Sequence, residues 1–333
     1  MEILFDARWI GDHGIGRFAH VMDRDIGLPH LRIGGVPSSA FDPLRLLFAM
    51  LIRTPKGAGV LNPGYNAPLF LVRPYIFTIH DLNHIDRTEN SSLFKRMYYR
   101  FIMRRAVCNA FRVLTVSQYS RLRIIEWSGV DAYRVVNVGN GVDASYHTHV
   151  VPYAPGYPYL LCVGNRKTHK NEPRVVEAFA QAAIDPGIRL IFTGPINDTL
   201  QTLCLKHGVE HRVVFVGNVP EEDFPGLYRG AIALVFPSLY EGFGLPVIEA
   251  MACGTPVLTS RTTSLPEVAG DAALLVDPLS VEQISVGVAR LCGDDDLRHV
   301  LRQRGLQRAA LFGWENVITK VKDVLETMRD HAG

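Results

Sequence analysis

Long apolar runs are absent from this 333-residue chain. The most apolar helix candidate, residues 43–52, contains Arg45 and is too short to span a bilayer. The opening MEILFDARWI has neither a basic n-region nor the apolar core of a signal peptide, and reads instead as a first strand. Cysteine is scarce: Cys108, Cys162, Cys204, Cys253 and Cys292 are odd in number, far apart and never in C-x2-C spacing. That usage excludes a zinc site and predicts buried thiols in a reducing compartment. The expected location is the cytoplasm, including the inner face of the membrane. Repeats and low-complexity segments are missing as well, and no nucleic-acid partner is expected. Charge of one sign does not dominate, with 35 Lys and Arg against 33 Asp and Glu.

What is present is enough chain for two cores. The charge is unevenly spread. Residues 1–150 carry 18 Lys and Arg against 12 Asp and Glu, a balance of +6, and the remainder 17 against 21, a balance of −4. The basic half points to an anionic partner, either a membrane surface or an acidic acceptor. Along it, strand-like runs at 3–6, 31–34, 59–62, 75–80, 113–117 and 135–138 alternate with helical patterns near 17–25, 44–53, 91–110 and 117–128. Such alternation predicts a parallel, doubly wound sheet. Residues 142–158, rich in Pro and Gly and without period, form the expected linker. Apolar strands at 159–163, 189–193, 213–216, 231–236, 256–259 and 273–276 then predict a second Rossmann-like sheet. The division expected is therefore 1–150, 151–310 and a final helix in 311–333.

The chain is organised around residues 233–260, ALVFPSLYEGFGLPVIEAMACGTPVLTS. An apolar strand leads into a turn carrying Glu241, Gly242, Phe243 and Gly244. Pro246 suits the first turn of the helix that follows, because it lacks only an N–H that would be unpaired there. Gly254 ends the helix and a new strand begins. A helix N-terminus behind a glycine turn offers free N–H groups to phosphate. Glu241 and Glu249 would repel phosphate but accept from sugar hydroxyls. Together these features ask for a ligand with both, such as a nucleotide sugar.

Glu241 and Glu249, in the setting PSLYEGFGLPVIEAMACGTPV, resemble the E-x7-E signature of retaining glycosyltransferases of family 4. The resemblance extends over nearly the whole chain and is nearest to bacterial mannosyltransferases of polysaccharide assembly. It implies the GT-B fold, two Rossmann-like domains facing across a cleft, with the final helix crossing back to the first domain. It also implies a retaining, metal-independent hexosyltransferase with no cofactor beyond its nucleotide-sugar donor, GDP-mannose before a UDP-sugar. The acceptor would be a glycan or a lipid-diphosphate-linked saccharide. Glu249 would accept from ribose hydroxyls, while Glu241 and the backbone of Phe243, Gly244 and Leu245 would hold the hexose. In GNRKTHKN, Arg166 and Lys170 match the cations that neutralise the leaving diphosphate, with Lys167 competing for the role and a solvated basic loop as the alternative. Val219 lies where the family's loop borders the base.

The first half holds three further patterns. GIGRFAH matches G-x-G-x-x-A, yet it starts eight residues after Asp6 and no acidic residue ends the second strand, which argues against NAD binding. By resemblance, Gly14 and Gly16 belong to a glycine loop near the donor phosphates; a bare turn is the alternative. TIHDLNH puts His80 at a strand end, where the family's His contacts the transferred sugar, although a lone His after a strand is often structural. Residues 91–110 read as a basic amphipathic helix, with Arg96, Arg100 and Arg104 on one side; it suits either an anionic membrane surface or an ordinary core with a wet basic face. Asp294, Asp295 and Asp296 suit a helix start better than a metal site. Two other classes stay open: a nucleotide-sugar epimerase of the same fold, and a non-catalytic nucleotide-sugar-binding protein.

Overall fold

Short apolar runs buried on both faces suit parallel sheets covered by helices. The computed structural model, which describes residues 1–11, 14–87 and 93–331, holds two such sheets in two separate units. Unit 1 comprises Met1–Asn140 and the chain from Trp314 onward; unit 2 is Gly141–Gly313.

In unit 1, β1 (Ile3–Phe5), β2 (Gly59–Asn62), β3 (Tyr75–Thr78), β4 (Arg112–Thr115) and β5 (Val135–Asn137) lie side by side in that order, all parallel. The register pairs Leu4 with Val60, Leu61 with Ile76 and Phe77 with Val113. Val60, Leu61, Ile76, Phe77, Val113 and Leu114 have no exposed surface. The helices are α1 (Gly14–Ile26), α2 (Asp42–Phe48), α3 (Asn83–Asp86), α4 (Leu93–Tyr98), α5 (Arg104–Asn109) and α6 (Gln118–Ser128). Ser117 caps α6 by accepting from the Ser120 N–H, and Gly129, at φ +74°, closes it in the left-handed conformation.

Three expectations for this half are corrected. Residues 31–34 are not a strand: Leu31 donates to the Phe5 carbonyl (2.8 Å) and one bridge joins Phe5 to His30, after which Gly35 turns away at φ +89°. The pattern at 44–53 is α2 followed by a π-helical turn, Ala49–Arg53. The long basic helix is likewise α4, a π-helical turn Tyr99–Met103 and α5; its residues 91 and 92 lie outside the described ones. Residues Phe41, Leu44, Phe48 and Leu51, spaced three or four apart, are all exposed together with Ile52, while Leu46, Ala49 and Met50 turn into the core.

Unit 2 contains β6 (Tyr159–Cys162), β7 (Arg189–Phe192), β8 (Val213–Phe215), β9 (Ala233–Phe236), β10 (Val257–Ser260) and β11 (Leu274–Val276), in the spatial order β11-β10-β9-β6-β7-β8 and all parallel. Its helices are α7 (Glu172–Gln181), α8 (Asp198–His207), α9 (Phe224–Gly230), α10 (Leu245–Ala252), α11 (Leu265–Ala269), α12 (Val281–Gly293) and α13 (Asp295–Ala309). The chain winds from β6 toward β7 on one side and reaches β9 on the other, so the winding direction reverses beside β6. Residues 142–158 are not a free linker. Tyr146 donates to Glu221 (2.9 Å) and the Tyr153 N–H to the Gly226 carbonyl (2.9 Å), which fastens the stretch to unit 2.

The last helix, α14 (Trp314–Asp330), starts three residues later than the expected 311 and belongs to unit 1. Val317, Val321, Val324 and Leu325 are buried, Trp314 packs against Phe18, and the Met328 methyl occupies the space where Gly59 would carry a Cβ.

Burial of the thiols is uneven. Cys162, Cys204 and Cys253 are buried as expected, but Cys108 is exposed and Cys292 is half-buried. Burial pushes the Cys253 thiol up to about 12 and the Cys292 thiol up to about 11. A raised thiol forms less of the reactive thiolate. A disulfide reagent at pH 8 is therefore expected to modify Cys108 first and Cys292 slowly, leaving the other three until the chain is denatured; peptide mapping of the labelled sites checks the order.

Candidate active site

Ligands of open α/β sheets sit at the carboxyl ends of the strands, where the winding direction reverses. In unit 2 that place lies between β6 and β9, and the loops that follow these two strands are stitched together. The His169 carbonyl accepts from the Leu239 N–H (2.7 Å) and the Ser238 hydroxyl (2.8 Å). Asn171, at φ +60°, donates to the Pro237 and Pro278 carbonyls (2.9 and 2.7 Å). This stitching sets Lys170 against Glu241.

The Lys170 Nζ lies 2.8 Å from Glu241 Oε1 and 4.9 Å from the Phe236 ring centre. The Ser238 hydroxyl lies 2.6 Å from Oε1 as well, its single proton shared between that oxygen and the His169 carbonyl. Both contacts fall on one oxygen, so Oε2 makes no hydrogen bond among the described residues. Lys170 likewise spends one of its three donors. The Glu241 main chain is pinned by Thr263, whose hydroxyl accepts from its N–H (3.3 Å), and by Ser264, whose hydroxyl lies 2.9 Å from its carbonyl.

Three residues on, Gly244 takes φ +102°, and a Cβ there would come within 2.6 Å of Leu265 Cδ2. Only glycine suits both conditions. Leu245 and Pro246 then open α10, whose N-terminus no side chain caps. The helix is aimed by its own packing: Val247, Ile248 and Met251 are buried, and Phe243 meets Phe312 edge-on at 5.5 Å. Glu249 is 4% exposed and accepts from the Tyr228 hydroxyl (2.8 Å) through Oε2. Val219, half-buried, follows β8 on the loop that Gly217 joins to Gly194 (2.6 Å).

Arg166 is placed differently from the sequence expectation. Its Nε donates to the Pro195 carbonyl (2.6 Å), Nη2 to Thr193 and Gly194 (2.8 Å each), and Nη1 to Glu172. Four of its five N–H groups are thus spent inside the protein, and the guanidinium lies over the Phe192 and Phe215 rings. Burial pushes the Glu172 carboxyl above its usual range, against the pull of Arg166. Arg166 is first of all the anchor of its own loop. Lys167, the competitor, is exposed. Sequence reasoning missed Glu172, Ser238, Thr263 and Asn171. The signal available is the Pro after Glu172, which suits the first turn of a helix and does not point to Arg166.

At the carboxyl edge of unit 1, Gly14 and Gly16 lie in the first turn of α1 rather than in a loop. Gly16 is required there, because a Cβ would meet the Gly11 carbonyl oxygen at 2.1 Å. His80 is 7% exposed, with its ring edge-on to Phe18 at 5.0 Å and near Tyr65 at 5.7 Å. Its Nε2 lies 2.9 Å from the Pro63 carbonyl, which can only accept, so Nε2 carries the proton. That nitrogen is not a base. Nearby, Arg8 is held between the buried Asp6 (2.7 Å) and Asp42. Among the described residues no group of acidic, His or Cys side chains could hold a metal ion.

A family model described as glycosyl transferases group 1 matches residues 150–308, and one described as glycosyltransferase family 4 matches residues 57–146. The chain is 34% identical over 273 residues to O-antigen chain mannosyltransferase B of Escherichia coli, covering 78% of this chain and 71% of that one. It is 30% identical over 211 residues to O-antigen chain mannosyltransferase RfbU of Salmonella typhimurium, covering 62% and 58%. Among solved structures, WaaG, a glycosyltransferase involved in lipopolysaccharide biosynthesis, superposes with a TM-score of 0.76 at 14% identity, over 97% of this chain and 99% of that one.

An anchor and a ligand contact fail differently. Arg166→Ala is expected to cost roughly 3–5 kcal/mol of stability in unit 2, because it leaves the Glu172 charge buried and unpaired. Glu172→Gln in the same chain should recover at least half of that loss. Denaturant titration of the single and double variants checks both numbers; equal losses would shift the anchoring to the carbonyl contacts alone.

Proposed function

Because the chain belongs to the group 1 glycosyltransferases, of GT-B fold, we propose that it moves a hexose, mannose before others, from a nucleotide sugar to a saccharide acceptor in polysaccharide assembly. The observation that carries this reading is the half-used ion pair. Lys170 and Ser238 hold Glu241 by Oε1, which leaves Oε2 to accept from a sugar hydroxyl and two Lys170 donors to meet a diphosphate. Beside them the uncapped start of α10 presents backbone N–H groups and a positive dipole end. A nucleoside diphosphate sugar has the complementary parts, hydroxyls at one end of a doubly charged bridge.

In this reading Glu249 accepts from the ribose, the backbone of Phe243, Gly244 and Leu245 holds the hexose and phosphate, and Val219 borders the base. Lys170 stabilises the charge that grows on the departing diphosphate, and Arg166 contributes its one remaining N–H. Charge stabilisation of this kind takes the place of a divalent ion. The acceptor hydroxyl attacks C1 from the face that the diphosphate leaves. The C1–phosphate bond breaks as the new C–O bond forms, and a phosphate oxygen takes the hydroxyl proton, so the configuration is retained without a protein nucleophile. Unit 1 would carry the acceptor, with Gly14, Gly16 and His80 at its carboxyl edge.

The mannosyltransferase relatives favour mannose as the sugar, and in this proposal the donor is GDP-mannose before a UDP-sugar. A lipid-diphosphate-linked acceptor suits the basic first half, and peripheral contact with an anionic membrane through Arg96, Arg100 and Arg104 suits their exposure. An epimerase would interconvert free nucleotide sugars with no acceptor present, and a non-catalytic binder would neither transfer nor hydrolyse the donor.

Calorimetric titration with GDP, UDP and ADP tests the site. One nucleotide is expected to bind tightly, and Glu249→Ala to abolish that binding; silence with all three would remove the glycosyltransferase reading. With the donor so named, Lys170→Ala should lower kcat by about 10²–10³-fold, and NMR of the product's anomeric proton should show retention.

A further inference from the structure

At the opposite edge of the unit 1 sheet lies a concavity that the transfer reaction does not use. Its volume is about 640 Å³, and its walls come from the segments that enter β3, β4 and β5 together with loop 68–72 and α5. Four arginines line it: Arg73, Arg105, Arg112 and Arg134. None forms an ion pair among the described residues, and no described residue of the lining carries a carboxylate. The Nε of Arg73 is buried and has no hydrogen-bond partner among the described residues. Arg105 lies over Phe70, 4.6 Å from the ring centre, and Tyr133 is flanked by Arg112 at 5.2 Å and Arg134 at 5.5 Å. Arg112 and Arg134 each spend one N–H on a carbonyl, of Phe111 and Ala110, at 2.8 and 2.9 Å.

Uncompensated like charges in one hollow repel each other, and the repulsion is relieved when an anion enters. Stacking on rings fixes the guanidinium planes while leaving N–H edges, the arrangement that grips phosphate oxygens in pairs. We propose that this groove binds a phosphate-bearing anion. The site is separate from the donor loops of unit 2 and does not depend on the reading given to them.

Two sources supply that chemistry, a phospholipid headgroup and a free polyphosphate. Leu69, on the groove wall, donates to the Pro43 carbonyl (3.1 Å) at the first turn of α2. From there runs the exposed face of Leu44, Phe48, Leu51 and Ile52, bordered by the exposed cations Arg45, Arg53 and Lys56. An apolar face edged with cations suits the surface of an anionic bilayer, which makes the headgroup the expected source.

Hydrogen–deuterium exchange of the whole chain tests this with three probes: inorganic pyrophosphate, phosphatidylcholine vesicles, and the same vesicles containing phosphatidylglycerol. Peptides spanning 68–74 and 104–112 should gain protection with the phosphatidylglycerol vesicles and not with phosphatidylcholine alone. Protection by pyrophosphate would assign the groove to soluble anions and supports the proposal equally. Arg73→Gln with Arg105→Gln should weaken binding of the active probe at least about tenfold, while Arg105→Lys should stay within a few-fold. The proposal falls if neither anionic probe protects these peptides, if phosphatidylcholine protects them as well, or if the double variant binds as the natural chain does.

Discussion

The geometry of unit 2 depends on one backbone atom, the His169 carbonyl oxygen. It accepts from both the Leu239 N–H and the Ser238 hydroxyl, and so ties the loop after β6 to the loop after β9. The two loops are some seventy residues apart in sequence, yet their strands are neighbours in the sheet. Lys170 and Glu241 meet because of that tie. Their contact is only partly buried, with 15% and 12% of the two side chains exposed, so its value to stability is modest. Its value lies in position, since the contacts hold Oε1 in place and leave Oε2 able to accept.

Backbone strain is concentrated on the same loops. Among the described residues, the non-glycine positions in the left-handed region are Arg166, Asn171 and Thr263. Each costs on the order of 1–3 kcal/mol in isolation and persists where its surroundings over-determine it. Arg166 is held by four hydrogen bonds, Asn171 by two carbonyls, and Thr263 by the Glu241 N–H. The strained residues therefore frame the Glu241 turn from both sides.

The sequence made the centre of this site legible and its supports almost invisible. Glu241, Gly244 and the start of α10 stand in one contiguous string, where a glycine turn and a proline one residue inside the helix announce the geometry. The observed helix, Leu245–Ala252, keeps Pro246 in its first turn and ends two residues before Gly254. Ser238 and Asn171 act by bridging loops distant in sequence, and no local pattern marks a side chain whose partner is another loop's carbonyl. Arg166 was visible as a cation, but no local pattern marked Glu172 as the acid that captures it. In unit 1 the π-helical turns at Ala49 and Tyr99 left the apolar period nearly unchanged, so two broken helices read as continuous ones. The exposed face from Phe41 to Ile52 escaped notice for a related reason. Apolar residues occupy both sides of that segment, and composition alone cannot say which side finds a core.

The chain leaves unit 1 after Asn140 and returns to it at Trp314. Unit 1 is thus discontinuous, and α14 supplies the side chains that close over Phe18 and Gly59. During synthesis the first sheet emerges long before that last helix does. At about 5–20 residues per second, the intervening stretch takes on the order of ten to thirty seconds to make. Throughout that interval the nascent first unit lacks the helix that packs on Phe18 and Gly59. The helix that completes unit 1 therefore reaches it only after all of unit 2 has been made.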